Sequence, residues 1–244
     1  MLNLDSGIKK LSFILNKIST SKDIITAVKK DGFCVIPDYL PNKDLESLTI
    51  EFEQIIDRKY SKGFYEHACR DYMEAIAVSG PDMMSSTFTA QKKLLTKPQL
   101  EELTQLFYGD SYQYPFNIFN VRSTYTPAKS EELPYCMHFD KHQMFKFFFL
   151  LSDTDENCGP TWVIPGKQQE VRHIRNEWYE NNNPVRRIDN KLIDHDNEAI
   201  PLIGKAGSLV ILDTDTPHKA GKVAKNKVRE VIRISTTCPI YSGL

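Results

Sequence analysis

The chain has no long apolar run, no excess of charge of either sign and no Cys-x-x-Cys pair. No apolar stretch approaches the ~20 residues needed to cross a bilayer, which argues against a membrane-spanning protein. Lys and Arg number 31 against 32 Asp and Glu, a net charge of −1, so there is no basic field to attract nucleic acid. The five cysteines (Cys34, Cys69, Cys136, Cys158 and Cys238) are odd in number, as expected of reduced thiols in a cytoplasmic protein rather than of a disulfide framework. Near the start, Lys9-Lys10 is followed only by Leu-Ser-Phe-Ile-Leu, too short for a signal-peptide core. There is no internal repeat or low-complexity linker. What remains is a chain of 244 residues, 41% hydrophobic and 26% charged, which fits one globular domain over residues 1–244.

Histidine is also scarce, at six residues, but three side chains stand out. In His138-Phe139-Asp140 the first and third residues point to one side of a β-strand while Phe139 packs the other way. His218, in Asp215-Thr216-Pro217-His218, supplies a third ligand if its strand lies beside the first. Two imidazoles and one carboxylate make a facial triad that holds Fe(II) and leaves three positions open for a co-substrate and O₂. A His-x-Asp triplet also arises on surface strands, and a histidine after Thr-Pro is often a polar loop residue. His142 is a reserve ligand or a pocket group, and His67, His173 and His195 lie among polar residues and read as surface.

The stretch Lys227 to Ser235 alternates as a strand, with Arg229, Val231 and Arg233 on one face. An arginine facing the interior is costly unless it meets an anion, and its planar fork fits a carboxylate. Such an arginine suits the distal carboxylate of a dicarboxylic acid such as 2-oxoglutarate. The opposite orientation, with Val228, Ile232 and Ile234 inward, is left open by the pattern.

Three segments carry a family resemblance. Lys30 to Leu40 (KDGFCVIPDYL), Leu151 to Gln168 (LSDTDENCGPTWVIPGKQ) and Gly207 to Ser235 resemble, in order and separation, the phytanoyl-CoA dioxygenase family of Fe(II)/2-oxoglutarate oxygenases. The resemblance implies a double-stranded β-helix, a jelly-roll or cupin-like barrel that is mostly β with flanking helices. It implies iron ligation by His138, Asp140 and His218, and a grip on 2-oxoglutarate by Arg229, eleven positions after His218. Thr161 matches a hydroxyl that helps hold the same carboxylate, and Arg233, in an Arg-x-Ser pattern with Ser235, is the rival clamp. Tyr135 stands where some relatives carry glutamine, and Lys167-Gln168 replaces the usual Ser-His. Asp140 favours oxygenation over halogenation, since halogenases of this type lack that carboxylate.

The implied activity is a dioxygenase using Fe(II), 2-oxoglutarate and O₂, hydroxylating a C–H bond of a small-molecule substrate, with anionic molecules among the candidates, and releasing succinate and CO₂. The alternatives are a cupin-like metal enzyme that does not use 2-oxoglutarate, and a binding protein that keeps the barrel without catalysis.

The periodicity predicts helical support over 1–60, with stripes at Leu11, Ile14, Leu15 and Ile18 and at Leu45, Leu48, Phe52, Ile55 and Ile56, the second capped by Asn42. The barrel core is expected over 110–240, with strands at Phe116 to Ser123, Met144 to Leu151, Thr161 to Ile164 and Gly207 to Asp213. Lys146, in Phe145-Lys146-Phe147-Phe148-Phe149, reads first as a lysine whose long stem reaches solvent and second as an inward cation near the oxoglutarate. Asn120 and Arg122 are pocket residues by strand parity. The polar segment 167–201 reads either as a lid or insertion whose Arg172, Arg175, Arg186 and Arg187 could meet an anionic substrate, or as a solvated surface segment.

Overall fold

The computed structural model describes residues 20–237 apart from 61, 128, 130–133, 181–186 and 190–195. The expected helix at Leu11 to Ile18, together with Arg186, His195 and Cys238, lies outside the described residues.

Helix α1 (Ser21–Asp31) starts on a capping box between Thr20 and Asp23 and stops at Gly32, whose φ of +90° a side chain would strain. Strand β1 (Phe33–Ile36) follows, then α2 (Asn42–Ile56). The N-cap of α2 is Pro41 rather than Asn42, which is already helical, and no side chain caps the helix. Its buried residues Leu48, Phe52, Ile55 and Ile56 recur at helical spacing on one face. After β2 (Phe64–Arg70) and β3 (Met73–Ser79) come three helices, α3 (Gly80–Ser85), α4 (Thr89–Leu95) and α5 (Pro98–Tyr108).

The rest is mostly β: β4 (Gln113–Ser123), β5 (His138–Asp140), β6 (Met144–Leu150), β7 (Thr161–Val163), α6 (Gln168–Glu180), β8 (Arg187–Asp189), β9 (Ile200–Leu202), β10 (Leu209–Asp213), β11 (His218–Ala220) and β12 (Arg229–Thr237). These strands form a seven-stranded sheet, β1-β10-β6-β12-β4-β3-β2, and a five-stranded sheet, β8-β5-β11-β7-β9. Every pairing within them is antiparallel. From β4 to β7 successive strands swap sheets, and so do β10 to β12, which is the jelly-roll winding of a double-stranded β-helix. No ladder joins the two sheets among the described residues, so the barrel is not closed.

Strand parity sorts the core. On the large sheet Cys34, Ile36, Phe145, Phe147, Phe149, Leu209, Ile211, Ile232 and Ile234 face outward and pack with the helices. Phe33, Val35, Phe148, Leu150, Val210, Leu212 and Val231 face the small sheet, where they meet Val163 and Leu202. Strand β6 thus buries both faces, as expected for a strand between helices and a second sheet. A third cluster packs α6 through Val171 against Met137, Phe139 and Ile164.

Parity also corrects two expectations. On β4 the even residues face the helices. Asn120 hydrogen-bonds Gln91 at 2.7 Å, and Arg122 pairs with Glu230 at 2.8 Å and with Glu53. The pocket side of β4 belongs to Asn117, Phe119, Val121 and Ser123. Arg172 and Arg175 of α6 also turn inward. Arg172 Nε donates to Asp215 at 2.8 Å and its Nη2 to Asp213 at 3.1 Å, while Arg175 pairs with Asp215. These two guanidiniums brace the segment before His218 instead of meeting a substrate. Both acids are fully buried, and burial, with Asp215 beside it, pushes the Asp213 carboxyl up to about 7.

Candidate metal and co-substrate site

Strand β11 lies between β5 and β7, which pairs His218 directly with His138. The two imidazole centroids are 4.5 Å apart, and Asp140, two residues along β5, reaches the same side. One ligand atom from each of His138, Asp140 and His218 lies within 4.8 Å of the others.

Backbone carbonyls fix both rings. His138 Nδ1 lies 2.8 Å from the Cys136 carbonyl, and His218 Nδ1 lies 2.8 Å from that of Thr216. A carbonyl only accepts, so each Nδ1 carries the proton and each Nε2 keeps its lone pair for the shared point. The loop before His218 is held close. A Cβ on Gly32 would come within 1.9 Å of Thr216 Oγ1, so glycine is required at the helix end that abuts this loop.

The electrostatics suit a cation. Burial pushes His218 down to about 3, so its imidazole is neutral at ordinary pH. Burial alone would raise the Asp140 carboxyl, but Lys146 and the two histidines outweigh it and hold it well below the usual carboxylate range. Neutral imidazoles and an ionised carboxylate are the forms that ligate a metal.

Lys146 is a correction. It is 9% exposed and its ammonium lies 2.5 Å from Asp140 Oδ2. Strand β6 runs between β10 and β12, so Lys146 has no sheet edge over which to reach solvent. Asp140 Oδ1 faces His218 Nε2 at 3.9 Å, leaving the two carboxylate oxygens with different neighbours.

Arg229 faces the interior from β12, half-buried, and Thr161 meets it from β7 across the gap between the sheets. Arg229 Nη2 donates to Thr161 Oγ1 at 3.3 Å, while its buried Nε has no hydrogen-bond partner. Burial, and then the neighbouring Arg233, pushes the Arg229 guanidinium down to about 10. A half-buried guanidinium whose Nε is buried without a partner fits a carboxylate, which accepts two parallel hydrogen bonds. Arg233 lies on the same face with its guanidinium 3.9 Å above the Phe119 ring.

A cavity of about 130 Å³ is lined by His138, Asp140 and His218 together with Arg229, Thr161 and Arg233. Lys146 and Tyr135 also line it; the sequence favoured a solvent-reaching Lys146 and marked Tyr135 only as standing where some relatives carry glutamine. A second cavity of about 370 Å³ adjoins it, sharing Asp140, Lys146 and Arg233. His142 and His67 line this second cavity and are not part of the ligand cluster, whereas His173 is an exposed residue on α6 near Glu177.

A jelly roll carrying a His-x-Asp…His cluster beside a buried arginine is the pattern of iron- and 2-oxoglutarate-dependent oxygenases. The chain matches the phytanoyl-CoA dioxygenase (PhyH) family model over residues 28–231 and belongs to that family. No curated protein matches it by sequence. Among solved structures it is similar to the epimerase SnoN in complex with Fe³⁺, α-ketoglutarate and nogalamycin RO. That likeness has a TM-score of 0.63 at 13% identity and covers 89% of this chain and 83% of SnoN. The non-haem α-ketoglutarate-dependent carbocyclase SnoK gives 0.61 at 12% identity, covering 89% and 85%. EvdMO1 gives 0.57 at 16% identity, covering 91% of this chain and 50% of its own. At these identities the likeness is one of fold. Family and ligand cluster together define an oxidoreductase that uses iron, 2-oxoglutarate and O₂. No helix among the described residues is long and apolar enough to cross a membrane.

Proposed function

We propose that the protein hydroxylates a C–H bond of a small molecule, with His138, Asp140 and His218 as iron ligands and Arg229 as the clamp on the distal carboxylate of 2-oxoglutarate. The observation that carries this reading is the single cavity lined by the three ligands, Arg229 and Thr161. Iron and 2-oxoglutarate, when bound, would supply with O₂ the oxidant for the C–H bond, one oxygen atom of the O₂ going into succinate as CO₂ is released. The side chains do the rest. The Cys136 and Thr216 carbonyls aim both Nε2 atoms. Lys146 holds one oxygen of Asp140 and leaves the other toward His218. Thr161 steadies the Arg229 fork, and the apolar layer around Phe148 and Val231 keeps water from the far side.

In this reading residues 1–244 act as one oxygenase domain, with 1–60 as helical support, 110–240 as the core and 167–201 as an insertion whose helix is braced by Asp213 and Asp215. The free thiols of Cys34, Cys136 and Cys158 support a cytoplasmic setting.

The test is an anaerobic visible spectrum of the protein with Fe(II), before and after 2-oxoglutarate. A weak charge-transfer band on addition, absent in His138→Ala, is the expected result. Iron binding without a band would favour a cupin-like metal enzyme, and no iron binding would favour a non-catalytic protein.

A further inference from the structure

The larger cavity is not explained by iron or by 2-oxoglutarate. At about 370 Å³ it lies at the low end of the ~300–1,000 Å³ typical of small-molecule sites. It opens directly onto Asp140, so a molecule in it presents its bonds to the proposed iron position. Its lining is strongly biased in charge. Lys141, Lys146 and Arg233 contribute three cations, with His67 and His142 beside them, and Asp140 is the one carboxylate among the described residues that line it. That carboxylate already faces Lys146.

The floor of the cavity has a built form. Arg233 and Phe119 are cross-strand partners on β12 and β4, and the central carbon of the guanidinium sits over the ring, 3.9 Å from its centroid. Stacking engages the face of a guanidinium, whereas its N–H groups lie in its plane, the direction from which an anion is gripped. His67 packs edge-on against the same ring at 5.0 Å. It does so from a β-bulge, because the β2–β3 register steps from Glu66 opposite Ile76 to Ala68 opposite Ala75 and leaves His67 over. A bulge of this kind re-aims a side chain, here toward the cavity.

Arg229 and Arg233 share one strand face four residues apart, about 14 Å along the strand at ~3.4 Å per residue. One dicarboxylic acid held beside Thr161 does not need both. Resting on the iron and co-substrate reading above, we propose that the larger cavity binds the anionic group of the substrate, a carboxylate or phosphate, through Arg233, while Arg229 serves 2-oxoglutarate. Lys141 and His142 form the rim, and Phe119 and Met144 offer apolar surface to the body of the molecule. The substrate class is therefore a small organic anion, with the oxidised carbon on the side away from its charged group.

The test uses the Fe(II)- and 2-oxoglutarate-loaded protein under anaerobic conditions, titrated calorimetrically with benzoate, phenyl phosphate and neutral benzamide. One of the two anions should bind at least about tenfold more tightly than benzamide, and which one does so identifies the head group. Arg233→Gln should weaken that anion by about tenfold or more, and Lys141→Gln, at the rim, by roughly two- to fivefold. Arg229→Gln should weaken 2-oxoglutarate far more than Arg233→Gln does. The proposal is overturned if benzamide binds as well as the anions, if neither anion binds below about 10 mM, or if both cavity variants bind normally. If Arg233→Gln damages 2-oxoglutarate binding more than Arg229→Gln, Arg233 is the co-substrate clamp and both assignments fall. Absence of the iron–oxoglutarate band in the unmodified protein overturns the underlying reading as well.

Discussion

Replacing Arg229 by glutamine removes the proposed clamp while keeping a polar side chain of similar reach. The structure sets the size of the effect. The guanidinium is half-buried, already directed by Thr161 Oγ1 at 3.3 Å, and retains a buried Nε donor without a partner. A hydrogen bond to a charged group contributes ~1.5–3 kcal/mol, and partial exposure favours the low end of that range. Two such bonds to one carboxylate therefore come to about 3 kcal/mol, or roughly 150-fold in Kd. Arg229→Lys keeps the charge but not the fork and should lose about tenfold. Thr161→Val removes one neutral contact worth about 1 kcal/mol, or roughly fivefold. The assay is anaerobic titration of the Fe(II)-loaded protein with 2-oxoglutarate, followed by the visible band, with the KM for 2-oxoglutarate as a second readout. A fivefold loss or less in Arg229→Gln, beside a hundredfold loss in Arg233→Gln, would refute the reasoning and move the clamp four residues along β12.

Lys146→Met should lower the thermal midpoint of the metal-free protein, because Asp140 loses its cation, and Fe(II) should restore much of the loss; an unchanged midpoint would show that the ion pair carries no weight. Arg175→Met leaves the fully buried Asp215 with only the more exposed Arg172, and about 3 kcal/mol of stability should be lost in a urea titration, part of it recovered by adding Asp215→Asn. A loss below about 0.5 kcal/mol, the level of an ordinary surface change, would mean that α6 is not braced there. The Asp213 carboxyl is raised from its usual value near 3.8 to about 7 in the folded state, so between those values the folded protein binds more protons than the unfolded chain. Its contribution to stability therefore falls as pH rises from about 4 to 7, and Asp213→Asn should flatten the profile over that window. An identical profile in the variant would place the titration elsewhere.

The shared face of His138 and Asp140 and the alternation around Arg229 were legible because they obey local rules. His138 and Asp140 share a strand face by spacing alone, and Arg229 sits in an alternating run that has to choose one face. That choice could be read only from the register. Val231 meets Phe148 and Leu150 between the sheets while Ile232 and Ile234 meet the helices, so both faces of β12 are apolar and the alternation points both ways. Strand β4 misled for a related reason. Its helix-facing side buries Asn120 against Gln91 and pairs Arg122 with Glu53 and Glu230, so polarity there marks a satisfied outer layer instead of a pocket. The remaining misses share one cause, which is partners that only the fold brings alongside. Lys146 finds Asp140 on the other sheet, and Arg172 and Arg175 find Asp213 and Asp215 some forty residues downstream. A lone lysine or arginine in a sequence does not announce the acid that will meet it.

The inner face of the large sheet carries Lys146, Arg229 and Arg233, an arrangement that hydrophobic burial would not select. Lys146 is offset by Asp140, and the Arg233 guanidinium gains from the Phe119 ring beneath it. Arg229 is different. Its Nε is buried without a partner, which costs about 1–3 kcal/mol, and the nearby Arg233 adds repulsion that lowers its hold on the proton. Nothing in the packing requires arginine at that position, since Val231 on the same face meets Phe148 and Leu150 with apolar contacts. A buried donor kept at a cost to the empty protein is understandable if an anion meets it during function, because the deficit is then returned as binding free energy. The same logic assigns order to the site. If Arg229 holds the dicarboxylic acid in the smaller cavity, as proposed, the larger cavity is left for the molecule that is oxidised.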